Sequence, residues 1–163
     1  MARKVFYSFH YQNDISRVMV VRNRWVTYGG QQISGIIDKA EFETVERNGR
    51  QAIEKWIDMQ LQGTLATIVL IGQETLNRQY VQYEICESIK RNNAIIGVYI
   101  NNIKDLLQKT SIPCPRHTAI GHYNDGTPAF FDDIADGVYD YIYDGGYTSL
   151  DRWVENAVRK HIK

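Results

Sequence analysis

"ATIVLIGQETLNRQYVQYEICESIKRNNAIIGVYI", residues 66–100, decides the fold of this chain. Ala66–Gly72 is apolar at every position but one, the pattern of a strand buried on both faces of a parallel sheet. Ala94–Ile100 has the same character. Between them Arg78–Asn92 reads as a helix with Thr75 or Asn77 as its cap, and Val81, Ile85, Ser88 and Ile89 fall on one face.

Working outward, "KVFYSF" (Lys4–Phe9) reads as a first, central strand. In "NDISRVMVVRNRWV", Asn13 or Asp14 is a plausible N-cap for a helix carrying Ile15, Val18, Met19, Arg22, Trp25 and Val26 at helical spacing. "SGIID" (Ser34–Asp38) is a shorter, weaker strand. "RQAIEKWIDMQLQG" places Ile53, Trp56, Ile57 and Leu61 on one helical face, with Gly63 as the stop. "GVYDYIYD" (Gly137–Asp144) reads as the last strand. "TSLDRWVENAVRKHI" closes the chain as a helix, with Thr148 and Asp151 resembling a capping box and Leu150, Trp153, Val154, Ala157 and Val158 as its apolar face.

Strands alternating with helices imply an α/β fold: a mainly parallel five-stranded sheet of flavodoxin-like order 2-1-3-4-5, with helices on both faces. The chain of 163 residues fits one domain spanning 1–163. The pattern breaks down in residues 101–136, which hold all three prolines. Here the sequence predicts an irregular insertion, with a short helix at Ile103–Gln108 and a hairpin about Asp125-Gly126.

Lys+Arg and Asp+Glu are equal at 19 each, so charge gives no reason to expect nucleic acid or a membrane surface as partner, and it does not oppose a homo-oligomer. "MARKVFYSFHY" lacks the apolar core and cleavage site of a signal peptide, and no apolar run approaches membrane-spanning length. With two cysteines in no metal or redox spacing, a reduced, cytoplasmic protein is expected.

In such a sheet, ligands bind beyond the carboxyl ends of the strands, where the strand order reverses. That rule points to "SFHYQND" after the first strand, to "IGQETLN" after the third, and to the helix that follows. The helix carries two glutamates. Glu87 lies about 150° from the centre of the apolar face, with Lys90 and Arg91 at ion-pair spacing, so an exposed pair accounts for it. Glu84 lies about 90° away, at the boundary, with no cation at those offsets. It is either a functional carboxylate or a structural one bonded to a group the fold brings in.

Ser8 and His10 at the first strand end are candidate contacts to a ligand's sugar or phosphate, against the plainer reading of a strand-end turn. Asp14 is explained as a cap. No glycine-rich loop follows the first strand, which argues against a Rossmann site or a P-loop. Cys114, His117 and His122 lack a fourth partner and standard spacing, so no metal site is expected.

Taken together, "KVFYSFHYQND", "VVRNRWVT", "IGQETLNRQYVQYEI" and "AIIGVYI" resemble the ThsB-type TIR-like domain of the Thoeris anti-phage system, and "GIIDKAEFE" and "YDYIYDGGYTSLDRWV" also fit. The resemblance runs over nearly the whole chain except residues 101–136. It implies a TIR fold and cleavage of the nicotinamide–ribose bond of NAD by a glutamate four residues after an aromatic. That position carries over to Glu84, with Tyr80 in place of the commoner tryptophan and Val81 in place of the usual cysteine. It further implies that NAD is a substrate rather than a bound cofactor, that a phage trigger starts synthesis of a cyclic ADP-ribose isomer, and that this signal activates a ThsA-type effector.

On this reading Glu84 stabilises the oxocarbenium-like transition state. Phe9, Tyr80 and Tyr83 are candidate walls that keep water out, and Ser8 and His10 are candidate sugar or phosphate contacts. Three other readings remain open from the residues: a non-catalytic TIR-like sensing or scaffold domain, a nucleoside deoxyribosyltransferase-like enzyme, and an FMN-binding flavodoxin, the last disfavoured by the loop after the first strand.

Overall fold

The computed structural model describes residues 4–29, 33–34 and 47–161. Its centre is a five-stranded, wholly parallel sheet in the order β2-β1-β3-β4-β7. The strands are β1 (Val5–Ser8), β2 (Ile33–Ser34), β3 (Ala66–Ile71), β4 (Ala94–Tyr99) and β7 (Gly137–Asp140). This is the expected flavodoxin-like order, since β7 is the fifth strand of the sheet. Every residue of β1, β3 and β4 is buried, as strands covered on both faces require.

Side-chain alternation sorts the helices onto the two faces. Val5 and Tyr7 of β1, with Ile68, Leu70, Ile96 and Val98, pack beneath helix α1 (Tyr11–Gly29) and the closing helix α5 (Gly146–Arg159). Leu150, Trp153, Val154, Ala157 and Val158 are the buried stripe of α5, as the periodicity predicts. Phe6 and Ser8 point to the opposite face. There α2 (Arg50–Leu61) buries Ile53, Ile57 and Leu61 against Phe6, and α3 (Gln79–Lys90) buries Val81 and Ile85 against Val69 and Ile71. A single 3-10 turn, Thr75–Asn77, joins β3 to α3.

Residues 101–136 depart from the regular alternation. The expected helix at Ile103–Gln108 does not form. The Asp105 carboxylate instead accepts from the Leu107 and Lys109 amides, closing a tight turn. Arg17 of α1 anchors that turn by donating to the Ile103 and Lys109 carbonyls. The hairpin about Asp125-Gly126 is present: β5 (Ala119–His122) pairs antiparallel with β6 (Pro128–Phe130). Helix α4 (Phe131–Ile134) follows and drives Phe131 into the core beside Val69, Ile71 and Tyr99. A hairpin and one helical turn thus cover the sheet where a crossover helix would otherwise lie.

Three expected end signals act differently. Helix α1 starts at Tyr11, ahead of Asp14, so Asp14 is inside the first turn and is not its cap. The Thr148–Asp151 capping box is absent because α5 begins at Gly146 behind Gly145, whose left-handed backbone (φ 72°) makes the entry turn. The last strand stops at Asp140 rather than Asp144, because the Asp140 carboxylate accepts from the Ile142 and Tyr143 amides and turns the chain. The expected strand Ser34–Asp38 lies mostly outside the described residues, which place β2 at Ile33–Ser34. The side chain of Trp25 also lies outside them.

Candidate active site

The carboxyl ends of β1 and β3 deliver the proposed site. Ser8, the last residue of β1, is fully buried and faces α3 because it alternates with Tyr7. Its hydroxyl donates to Oε1 of Glu84 at 3.2 Å. The two residues are 76 apart in sequence, so only the parallel pairing of β1 with β3, and of β3 with the helix after it, brings them together.

Glu84 is more deeply placed than its helical angle suggests, at 7% exposure. The reason is α2, which packs alongside α3: Tyr83 Oη donates to Asp58 at 3.0 Å, and Arg91 donates to the Asp58 carbonyl. The buried arc of α3 is therefore rotated toward Tyr80, Tyr83 and Glu84. Ile89, expected on the apolar face, is 46% exposed in consequence. Glu87 is half-buried rather than fully on the solvent side, and Lys90 donates to it at 3.0 Å as the spacing predicts. Arg91 goes to Asp58 instead of Glu87.

A strut fixes the height of Glu84. Thr67 of β3 donates to the Ser88 hydroxyl at 2.6 Å, and Ser88 donates in turn to the Glu84 carbonyl at 2.7 Å. The side chain itself meets no cation among the described residues. Burial pushes its carboxyl well above the ordinary glutamate value, and the Ser8 hydrogen bond opposes this only in part. Its surroundings therefore favour the protonated form, and a ligand that brings opposite charge favours ionisation.

The other candidate residues divide. Tyr80 and Tyr83 join the cluster of Phe6, Ile53, Ile57 and Leu61, so both lean toward α2. The Tyr83 phenol is pushed up to about 12, first by burial and then by its bond to Asp58. Phe9 packs against the opposite cluster, under α1 and α5. His10 follows β1 at the same sheet edge as Ser8, and both its ring nitrogens are buried with no hydrogen-bond partner. Burial, and then the nearby Arg78 guanidinium, lower its pKa, so the empty ring is neutral.

Asp14 belongs to this edge as well. It is 3% exposed and accepts from the Thr75 hydroxyl, which itself accepts from the Gly72 amide. Burial raises its pKa, with Thr75 and Arg17 opposing. Its carboxylate occupies the space where a side chain at Gly72 would go. Cys114, His117 and His122 do not come together: Cys114 is buried in the core under the hairpin. Among the described residues the one group with metal-ligand geometry is His117, Asp132 and Asp133, all on the exposed surface of the insertion.

The site geometry is that of a buried carboxylate on the helix after β3, hydrogen-bonded to the end of β1. The family description "Thoeris protein ThsB, TIR-like domain" matches residues 6–105, which contain all of these elements. The chain belongs to the ThsB TIR-like family. A relative from Bacillus cereus (strain MSX-D12), named "Putative cyclic ADP-D-ribose synthase ThsB1", is 46% identical over 106 residues. That match covers 64% of this chain and 55% of the relative, so the chain spans little more than half of the relative's length. The matched family region ends within the turn after β4, so the hairpin and α4 lie outside it.

Sequence reading missed the Thr67–Ser88 strut and the burial of Asp14. The signal for the first was present: Ser88 lies one turn beyond Glu84 on the buried face, where a hydroxyl needs an acceptor. For Asp14 the cap reading was sufficient on its own, but the helix begins ahead of it at Tyr11, and the groups that bury it, Thr75 and Gly72, come from the far end of β3.

Proposed function

We propose that this ThsB-type chain is an NAD-cleaving enzyme that makes a cyclic ADP-ribose isomer as an anti-phage signal, with Glu84 as its catalytic carboxylate. One observation carries the reading: a buried, cation-free glutamate at the carboxyl edge of the sheet, hydrogen-bonded to Ser8. The B. cereus relative's name, cyclic ADP-D-ribose synthase, supports the product class.

The nicotinamide ring of NAD is cationic, so its arrival beside Glu84 supplies an opposite charge and favours the carboxylate. The bond from the ribose anomeric carbon to the ring nitrogen then breaks. Its electron pair leaves with nicotinamide, which departs neutral, and positive charge develops on the ribose. The Glu84 carboxylate stabilises that charge. A nucleophile elsewhere in the same molecule attacks the anomeric carbon and loses its proton, closing the ring. Cyclisation outruns hydrolysis only where water is kept out. We assign Tyr80 and Tyr83 to that exclusion, since Phe9 packs on the other face of the sheet, and Ser8 and His10 to contacts with the sugar or phosphate. A phage trigger starts synthesis, and the diffusible product activates a ThsA-type effector in the cytoplasm.

The test is mass spectrometry of small molecules from phage-infected cells carrying the parent, Glu84→Gln or Glu87→Gln. Loss of the cyclic product in the first variant alone is expected. Undiminished product from folded Glu84→Gln overturns the assignment.

A further inference from the structure

Arg78 immediately precedes α3 in extended conformation (φ −83°, ψ 132°), and its side chain makes no cap hydrogen bond. It is exposed, and its guanidinium has no hydrogen bond or ion pair among the described residues. It stands six residues before Glu84 along one rigid element, a rise of about 9 Å. Across from it, at the end of β1, His10 presents two ring nitrogens that are buried and unpartnered. A buried imidazole with neither nitrogen bonded costs stability, and such orphans mark places where a further group completes the bonding.

We propose that Arg78 and His10 together form a diphosphate-binding clamp, with Arg78 as the anchoring cation and His10 as the second donor. The inference rests on the reading of the chain as NAD-cleaving and names the part of the substrate that this end of α3 would hold. In a dinucleotide the diphosphate lies one ribose away from the anomeric carbon. With that carbon at Glu84, a dinucleotide running toward the start of α3 would bring its diphosphate to Arg78. A guanidinium engages phosphate oxygens through paired N–H donors, which an ammonium does not reproduce in full. Glu74 is also near His10 and opposes an anion there. Arg78 also stands near His10 and supplies the opposing positive charge. The first amides of α3, which no side chain caps, point the same way.

The test is calorimetric binding of ADP-ribose and of nicotinamide riboside, which lacks the diphosphate. Both are read on the resting protein, so neither needs the phage trigger. Arg78 is exposed, so Arg78→Ala is expected to leave the melting temperature unchanged. It is expected to weaken ADP-ribose about 10- to 100-fold, the effect of one charge-assisted contact, while nicotinamide riboside binding stays within about threefold. Arg78→Lys is expected to recover part of the loss. Equal loss for both ligands, unchanged ADP-ribose affinity in Arg78→Ala, or no ADP-ribose binding by the parent would each overturn the clamp. None of these bears on the Glu84 assignment, which the product measurement in infected cells decides separately.

Discussion

Replacing Glu84 by glutamine should stabilise the folded chain while abolishing its chemistry, and the size of the gain should depend on pH. Burial holds the folded-state pKa of Glu84 well above the ordinary glutamate value. Below the ordinary value both the folded and unfolded states carry the proton, and Glu84 contributes no slope. Between the ordinary and raised values the unfolded chain has lost the proton while the folded chain keeps it. The folded state then binds more protons, and stability falls as pH rises, by about 1.4 kcal/mol per pH unit. Above the raised value both states are ionised and the slope vanishes. Glutamine does not titrate, and its side-chain oxygen still accepts from Ser8. The advantage of Glu84→Gln should therefore widen through that window, by about 3–6 °C in melting temperature per pH unit for a chain of this length. Urea unfolding of parent and variant at successive pH values above the ordinary glutamate value reads it directly. A stability difference that stays constant with pH, or that grows in the parent's favour, refutes the account of Glu84 as a carboxyl whose proton is held by burial. A widening gain with lost turnover would mark Glu84 as a residue kept at a cost to stability for the sake of function.

Two further outcomes follow from the same edge of the sheet. Ser8→Ala removes the hydrogen bond that favours the ionised form of Glu84, so the pH dependence of the proposed NAD cleavage should move to higher pH; an unmoved pH–rate profile would separate Ser8 from the carboxylate. Gly72→Ala forces a methyl group into the Asp14 carboxylate and should cost about 1–3 kcal/mol in urea unfolding, whereas a neutral result would mean that Asp14 swings aside freely.

The central unit, β3–α3–β4, was legible because its strands are long, uniformly apolar and separated by a helix with clear periodicity. The same holds for α2 and for the apolar stripe of α5. Helical angles alone placed Glu84 at a boundary, because a single helix shows which side is apolar but not which neighbour packs beside it. The contact with α2 through Asp58 turned that boundary inward and left Ile89 outside. Chain ends of elements were read least well. Thr148 and Asp151 have capping-box chemistry, yet the left-handed Gly145 caps α5 three residues earlier, and local signals cannot arbitrate between two adequate starts. The turn at Asp105 escaped detection because its stability comes from Arg17, 88 residues away and on another element, which grips the carbonyls at either side.

The hairpin of β5 and β6 has a practical use. Its tip is held by its own bonds: the Asp125 carboxylate accepts from the Thr127 amide and hydroxyl, and the Tyr123 amide donates to the Thr127 carbonyl. Gly126 has open space around it, while Phe131 roots the base in the core. The tip is thus an exposed handle, outside the core cluster that Ile120 and Phe131 join. A cysteine for a fluorophore or a surface tether placed there would report on the whole domain without touching the strand end where Ser8 meets Glu84.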